Sequence, residues 1–257
     1  PYRHPPETRL EMPPPTRYFW GDEPEPDEYY ASQGVRNSQA YFTTPTGAKL
    51  FTQSFRPLPP GPAKAAVFMT HGYGSDTGWL FQKIAIAFAS WGYSVHCADL
   101  LGHGRSDGLR CYLGDLNSVA DAALSYFLSV RNSDEHRHLP AFIFGESMGG
   151  LVSLLVYLRS PEPAAWTGLI LSAPLFVIPG DMKPSKLRLF AYGLLVRDGG
   201  HVAGPMPGQQ DGGGRGQRTR RSWKVIAANP KRYTGRPRLG TMTEIARMCD
   251  PLQGKFG

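Results

Sequence analysis

The sequence predicts an α/β fold, with a mostly parallel, doubly wound sheet and helices on both of its faces. Short apolar runs of strand length alternate with amphipathic stretches of about 10–15 residues, as expected for parallel strands joined by crossover helices. Glycine-rich loops follow several of the apolar runs, at the carboxyl ends of the strands where such sheets place their sites. The 257 residues, 41% of them apolar, suffice for the core of one large domain.

The elements are predicted in order along the chain. Residues 1–29 are rich in proline and acidic residues and have little periodicity, so we expect a disordered arm. Residues 30–257 are assigned to a single domain. The alternation predicts a β-hairpin over 41–55, strands over 65–70, 93–100, 142–145 and 168–173, and helices near 78–90, over 116–131, from the turn at 147 to about 158, over 186–195 and near 241–249.

One short apolar run ends in the pattern G-x-S-x-G, formed by Gly145, Ser147 and Gly149, and a second apolar run follows at helical spacing. This strand–turn–helix context is typical of a nucleophile elbow, in which a tight turn exposes the serine hydroxyl. The turn tolerates almost no side chain on its flanks, a demand that Gly145 and Gly149 meet. The amide of Met148 would lie at a helix N-terminus, where it has no intrahelical partner and can face an oxyanion. The pattern therefore predicts that Ser147 is a catalytic nucleophile.

The net charge of +7 is concentrated in one segment. Residues 211–238 hold nine Lys or Arg residues and one Asp, a charge of +8 that leaves −1 for the rest of the chain. Some of these arginines lie among the glycines of residues 199–222, where they could contact phosphates. No aromatic residues interleave with them as they do in single-strand binding surfaces. We therefore expect no nucleic-acid partner.

The cysteines and the hydropathy of the sequence indicate the compartment, the cofactors and the membrane association to expect. Cys97, Cys111 and Cys249 are odd in number, far apart and without metal-ligand spacing. We therefore expect a reducing compartment and neither a metal nor an organic cofactor. No apolar run approaches the roughly 18 residues of a membrane span, and no segment has the pattern of a signal peptide. The expected location is the cytoplasm, with peripheral membrane contact left open.

Several motifs together resemble one family. They are VFMTHGYGSDTGW at 67–79, ADLLGHGRSDG at 98–108, FIFGESMGG at 142–150 and LILSAP at 169–174. With these motifs the chain resembles the plant monoacylglycerol lipase-like serine hydrolases, a group that includes caffeoylshikimate esterase and lysophospholipase-like members. The resemblance covers about residues 28–196 and 223–250. It implies the α/β-hydrolase fold, with a lid region at about residues 175–240.

The resemblance also implies roles for individual residues. Ser147 would attack a small-molecule acyl ester and form an acyl-enzyme, and the ester would be a monoacylglycerol, a lysophospholipid or a caffeoylshikimate-type compound. The amides of Tyr73 and Met148 would form the oxyanion hole. The residues expected to support the surrounding loops are His71, Gly72 and His103. We expect both histidines to shape their loops through hydrogen bonds rather than to move protons, and Asp107 to be a hydrogen-bond acceptor in its loop.

The pattern is incomplete after the nucleophile. In this fold the acid and the histidine follow the serine in sequence, but the H-G-x-x-D motif of the family is absent and His201 is the only later histidine. The resemblance ends at residue 257, so we expect the sheet to lack its last strands, the triad to lack two members and the chain to be inactive. Residues 197–222 also depart from the family, and a reading-frame shift is one hypothesis, which the coding nucleotides would test.

Other functions fit parts of the sequence. A non-catalytic hydrolase fragment that binds an apolar ligand would explain the missing triad residues. His71 and Asp76 form H-x-x-x-x-D, a weak signature of acyl transfer to an alcohol. The elbow does not distinguish esters from amides, so a serine peptidase also stays open. Dehalogenases and epoxide hydrolases of this fold use a carboxylate nucleophile, and the serine argues against both.

Overall fold

The computed structural model describes residues 26–177, 233 and 238–253. Helices and strands alternate through most of this part of the chain, as the apolar pattern predicts. The elements are α1 (Pro26–Ser32), β1 (Val35–Thr43), β2 (Lys49–Pro57), β3 (Ala66–Thr70), α2 (Trp79–Ser90), β4 (Ser94–Ala98), α3 (Leu116–Arg131), β5 (Ala141–Glu146), α4 (Met148–Arg159), a 3₁₀ turn (Pro163–Ala165), β6 (Gly168–Ser172) and α5 (Leu239–Gln253).

The described strands form one sheet in the order β1-β2-β4-β3-β5-β6. Strands β4, β3, β5 and β6 run parallel, and the β1–β2 hairpin joins β4 in antiparallel orientation. The predicted mostly parallel, doubly wound sheet is confirmed. Because parallel strands end at the same edge, the loops after β3, β4 and β5 meet there.

The core lies on both faces of the sheet. Alternate residues of the central strand β3 point to opposite sides, so Phe68 packs with α3 and α4 while Val67 and Met69 pack with α1 and α2. The Phe68 ring is fully buried, with its centroid 5.2 Å from that of Phe127 and 5.4 Å from that of Trp166. This aromatic cluster joins β3 to α3 and to the turn before β6.

Two predicted boundaries are wrong at the start of the domain. Residues 26–29, assigned to the disordered arm, are the first turn of α1, which the buried Tyr30 anchors through its hydroxyl to Gln82 Oε1 at 2.8 Å. Strand β1 begins at Val35 rather than at 41, because its whole length pairs with β2. Its outer face is mostly exposed and polar, so the early part lacks the apolar alternation that marks a strand.

Helix α3 has the predicted bounds, and α5 extends the helix predicted near 241–249 by a few residues at each end. The helix predicted over 186–195 and the aberrant stretch 197–222 lie outside the described residues. Within the described ranges, none of the helices has the length and apolarity needed to cross a bilayer.

Replacing Phe68 with alanine is expected to lower the free energy of unfolding by about 3–5 kcal/mol, because the buried ring would leave a cavity between β3 and α3. Urea unfolding followed by circular dichroism measures the loss. Tyr41→Ala, which removes a ring that is 60% exposed, is the matched control and should cost less than about 1 kcal/mol. Equal losses in the two variants would contradict this packing.

Candidate active site

Ser147 occupies a strained turn between β5 and α4. Its φ of 55° and ψ of −121° lie in a region that residues with a side chain rarely adopt and that costs about 1–3 kcal/mol. Three backbone hydrogen bonds hold it: the Ser147 amide donates to Ser172 O, and Ser147 O accepts from the amides of Gly150 and Leu175, each at 2.9 Å. Strand β6 and the segment after it therefore fix the turn from one side.

The glycines of the elbow lie where backbones touch. A β-carbon on Gly149 would lie 2.3 Å from Thr70 O and 2.6 Å from His71 O, and one on Gly145 would lie 2.4 Å from Gly149 O. No side chain fits at these distances. The end of β3 thus packs directly against the backbone of the elbow. A residue with a side chain would clash at either glycine position.

A pair of buried hydroxyls completes this contact, and sequence reasoning missed it. Thr70 Oγ1 lies 2.7 Å from both Gly149 O and Ser153 Oγ, so it can donate to the carbonyl and accept from the serine. The two residues are 83 positions apart, on β3 and α4. Two features of the sequence could have indicated this pair: Thr70 ends an apolar strand, and Ser153 lies on the apolar face of a predicted helix.

The loop after β3 passes over the serine. A β-carbon on Gly72 would lie 3.3 Å from Ser147 Cβ and 3.9 Å from Ser147 Oγ, so only a short side chain or none fits there. The next residue, Tyr73, is anchored by its hydroxyl, which donates to Cys111 O at 3.0 Å, and burial raises the pKa of this phenol. Among the described residues, the backbone amides of Tyr73 and Met148 have no hydrogen-bond acceptor. Within this part of the chain, both N–H groups therefore lack a protein acceptor.

His71 is buried and both of its ring nitrogens are engaged. Its Nε2 accepts from the Leu100 amide at 3.0 Å, which leaves the proton on Nδ1, and Nδ1–H donates to Gly72 O at 2.9 Å. The ring therefore ties the loop after β3 to the end of β4. It has no free nitrogen to accept a proton from an alcohol, which removes the geometric basis of the H-x-x-x-x-D acyltransferase hypothesis.

His103 is packed against His71, with ring centroids 5.3 Å apart. Burial, and to a lesser extent the neighbouring His71, lower the pKa of His103 to about 3, so its imidazole is neutral at physiological pH. Its Nδ1–H donates to Leu101 O at 3.0 Å, whereas its buried Nε2 has no partner in the described part of the chain. The ring shapes the turn in which it lies.

Asp99 is a second residue that sequence reasoning missed. Its Oδ1 accepts from the Thr77 amide and hydroxyl, each at 2.7 Å, and its Oδ2 accepts from the Arg105 amide at 2.9 Å. Burial raises the pKa of this carboxyl, and the hydrogen bonds from Thr77 partly offset the effect. A β-carbon on Gly104 would lie only 2.0 Å from Oδ2, so the glycine lets the loop close over the carboxylate.

The loop after β4 is also tied to β2. Phe51 N donates to Ser106 Oγ and Lys49 N to Asp107 Oδ2, each at 2.8 Å. The prediction that Asp107 is a hydrogen-bond acceptor in its loop is confirmed.

The Ser147 hydroxyl has no hydrogen-bond partner within the described ranges, and no cluster of His, Cys, Asp or Glu there could hold a metal ion. His201 lies outside those ranges. The cysteines are free and buried. The described residues thus provide a half-buried serine and two amides without an acceptor among them, and they do not include a group that would take the serine proton.

Comparison with known proteins gives consistent matches. The family described as "Serine aminopeptidase, S33" matches residues 61–256. The chain is 59% identical to caffeoylshikimate esterase of Arabidopsis thaliana over 93% of its own length and 70% of that protein. It is 30% identical to monoglyceride lipase of Mus musculus over 58% of its length, but spans only 46% of that enzyme. The resemblance drawn from the motifs is confirmed.

Solved structures show the same fold. A soluble variant of monoglyceride lipase from Saccharomyces cerevisiae superposes with a TM-score of 0.65 at 18% identity, over 82% of this chain and 68% of that one. A carboxyl esterase from Bacillus coagulans gives 0.62 at 18% identity, over 83% of this chain and 72% of that one. At such identities the likeness concerns the fold alone.

Gly149→Ala is expected to lower the free energy of unfolding by about 2 kcal/mol or more, because the new methyl group must displace the end of β3. Gly61→Ala is the matched control, since a β-carbon there meets nothing within 4 Å. Urea denaturation measures the free energy of unfolding of both variants. If Gly149→Ala were as stable as Gly61→Ala, the close contact between β3 and the elbow would be wrong.

His103 should make stability depend on pH. Its pKa is about 3 in the folded chain and about 6.5 when unfolded, so the unfolded state binds the extra proton between these values. The contribution of the neutral His103 to the free energy of unfolding is therefore complete above about pH 6.5 and is lost as the pH falls towards 3. In His103→Asn, which keeps a donor for Leu101 O, the slope of unfolding free energy against pH should fall by up to about 1.4 kcal/mol per unit near pH 5. Identical slopes in urea titrations of the two proteins would rule out a buried, neutral His103.

Proposed function

The chain belongs to the α/β-hydrolase family described as serine aminopeptidase S33, among its carboxylic ester hydrolases, and on this premise we propose that Ser147 is the catalytic nucleophile. The observation that carries the proposal is the strained conformation of Ser147 beside two unpaired amides. Strain of this kind persists only where the surrounding structure imposes it, and it is concentrated at functional sites.

In the proposed reaction, Ser147 Oγ attacks the ester carbonyl carbon and its proton passes to a general base. The carbonyl oxygen becomes an oxyanion, which the amides of Tyr73 and Met148 stabilise. Each such donor typically contributes about 10²–10³ in rate. The proton then passes to the leaving alcohol, an acyl-enzyme remains, and water releases the acid by the same steps. Gly145 and Gly149 hold the elbow, and His71, Gly72 and His103 hold the oxyanion loop.

For the substrate we favour a small-molecule acyl ester of the caffeoylshikimate type. The Arabidopsis thaliana relative with 59% identity is named for that ester, whereas the monoglyceride lipases match at 30%. Monoacylglycerols and lysophospholipids are the next candidates, and they would require peripheral contact with a membrane. The buried free cysteines support a reducing, cytoplasmic location.

We further propose that the 257-residue chain alone turns over esters slowly or not at all. A serine hydroxyl needs a positioned base, and His201 is the only histidine after Ser147. In subtilisin, loss of the triad histidine costs about 10⁶ in kcat. The lid region at about residues 175–240 is a proposal as well, and residues 1–25 of the predicted arm lie outside the described residues.

The test is hydrolysis of p-nitrophenyl butyrate by the chain and by Ser147→Ala, each verified as folded by circular dichroism. Without imidazole, both should hydrolyse the ester at the same background rate. Added imidazole should accelerate hydrolysis by the unsubstituted chain more than hydrolysis by Ser147→Ala, because imidazole can supply the missing base. An equal rate for both proteins with imidazole would contradict the role of Ser147. Fast turnover that needs no imidazole and is lost in Ser147→Ala would show that the chain holds its own base.

The same assay decides between substrate classes. With imidazole present, the caffeoyl ester of shikimate should be cleaved at least about tenfold faster than a monoacylglycerol, since a pocket tuned to one class discriminates by roughly this amount or more. Product formation is measured by chromatography, with Ser147→Ala as the blank. A preference for the monoacylglycerol would overturn the choice of substrate and leave the nucleophile unaffected.

A further inference from the structure

A cavity of about 220 Å³ lies between the start of β4, the end of β2 and the loop after α3. Its polar lining comes from Arg36, Arg56, Ser94, Glu135 and His136. Ser94 is the first residue of β4, whereas Ser147 follows the last residue of the parallel strand β5. The cavity is therefore at the opposite end of the sheet from the candidate active site.

Two arginines face each other across the β1–β2 ladder at this cavity. Arg36 and Arg56 are direct partners in the antiparallel register, and both line the cavity, so their side chains share one face. Like charges placed directly opposite destabilise a strand pair. Glu135 pairs with Arg56, but Arg36 has no ionic or hydrogen-bond partner within the described ranges. One positive charge at the cavity is left without compensation.

Two residues that line the cavity, Ser94 and His136, form a triangle of polar atoms with the buried His96. Ser94 Oγ lies 2.9 Å from His96 Nε2 and 3.0 Å from His136 Nε2, and the two ring nitrogens are 3.1 Å apart. Burial lowers the pKa of both imidazoles, and the charge of Arg56 adds to this effect. Both imidazoles are therefore neutral at physiological pH. Ser133 Oγ donates to Val130 O, so it accepts from His136 Nδ1–H and leaves His136 Nε2 as an acceptor. The Ser94 hydroxyl is the donor that this group of residues offers to a ligand.

We propose that this cavity binds a phosphate group, as inorganic phosphate or as a small phosphate monoester. A guanidinium matches phosphate oxygens with two parallel hydrogen bonds, and two guanidiniums on one face can hold a dianion between them. The anion would relieve the repulsion between Arg36 and Arg56, and the Ser94 hydroxyl would donate to one of its remaining oxygens. The cavity is larger than a phosphate ion, which leaves room for a small organic substituent.

Isothermal titration of the 257-residue chain with inorganic phosphate tests the proposal, at an ionic strength held constant with sodium chloride. We expect saturable binding with one site per chain, and the same affinity in Ser147→Ala. Arg36→Gln, which removes an exposed and unpaired side chain, should weaken binding by at least about tenfold without affecting folding. Arg56→Gln should weaken phosphate binding by a similar factor. Arg137→Gln is the matched control, because Arg137 is an exposed arginine that pairs with Asp134 outside the cavity.

A second titrant, glycerol 3-phosphate, distinguishes the source of the phosphate. Tighter binding of glycerol 3-phosphate than of inorganic phosphate would assign the cavity to a monoester, and the reverse order would assign it to the free ion. No saturable heat with either titrant would overturn the proposal. Equal affinities in Arg36→Gln, Arg56→Gln and the unmodified chain would also overturn it, because binding would then take place elsewhere.

Discussion

The contact between the end of β3 and the backbone of the elbow is the constraint on which the rest of the site depends. The carbonyl oxygens of Thr70 and His71 occupy the space in which a side chain at Gly149 would begin. Two backbones in contact leave no freedom to relax, so the turn at Ser147 keeps a conformation that it would not adopt alone. The Thr70 hydroxyl satisfies the Gly149 carbonyl that this contact buries, as the interior of a protein requires.

The loops around the serine are held by groups that carry no proton-transfer role. His71 is committed at both ring nitrogens, and His103 is kept neutral by burial. Asp99 is a buried carboxylate whose oxygens are satisfied by loop N–H and O–H groups. The position of Ser147 and the supply of a base for its hydroxyl are therefore separate properties of this chain. The described residues provide the first, which explains how the elbow can form independently of that base.

The sequence predicts much of this arrangement because its signals are local. G-x-S-x-G between a strand and a helix locates the elbow, and a periodic apolar run locates α3 to the residue. The start of β1 was missed because an edge strand with a polar outer face shows no alternation. Thr70 and Asp99 were missed for another reason. Their importance comes from partners brought close by folding, and a single threonine or aspartate after a strand has no distinctive sequence context.

The central claim is that Ser147 is a reactive nucleophile positioned by the fold, and its most direct test is the site of phosphonylation by a fluorophosphonate. Intact-mass and peptide mass spectrometry of the folded chain measure the adduct, with Ser147→Ala alongside. We predict a single adduct on Ser147 that forms slowly, forms faster with added imidazole and is absent from Ser147→Ala. An adduct on another residue, or labelling that persists in Ser147→Ala, would contradict the account.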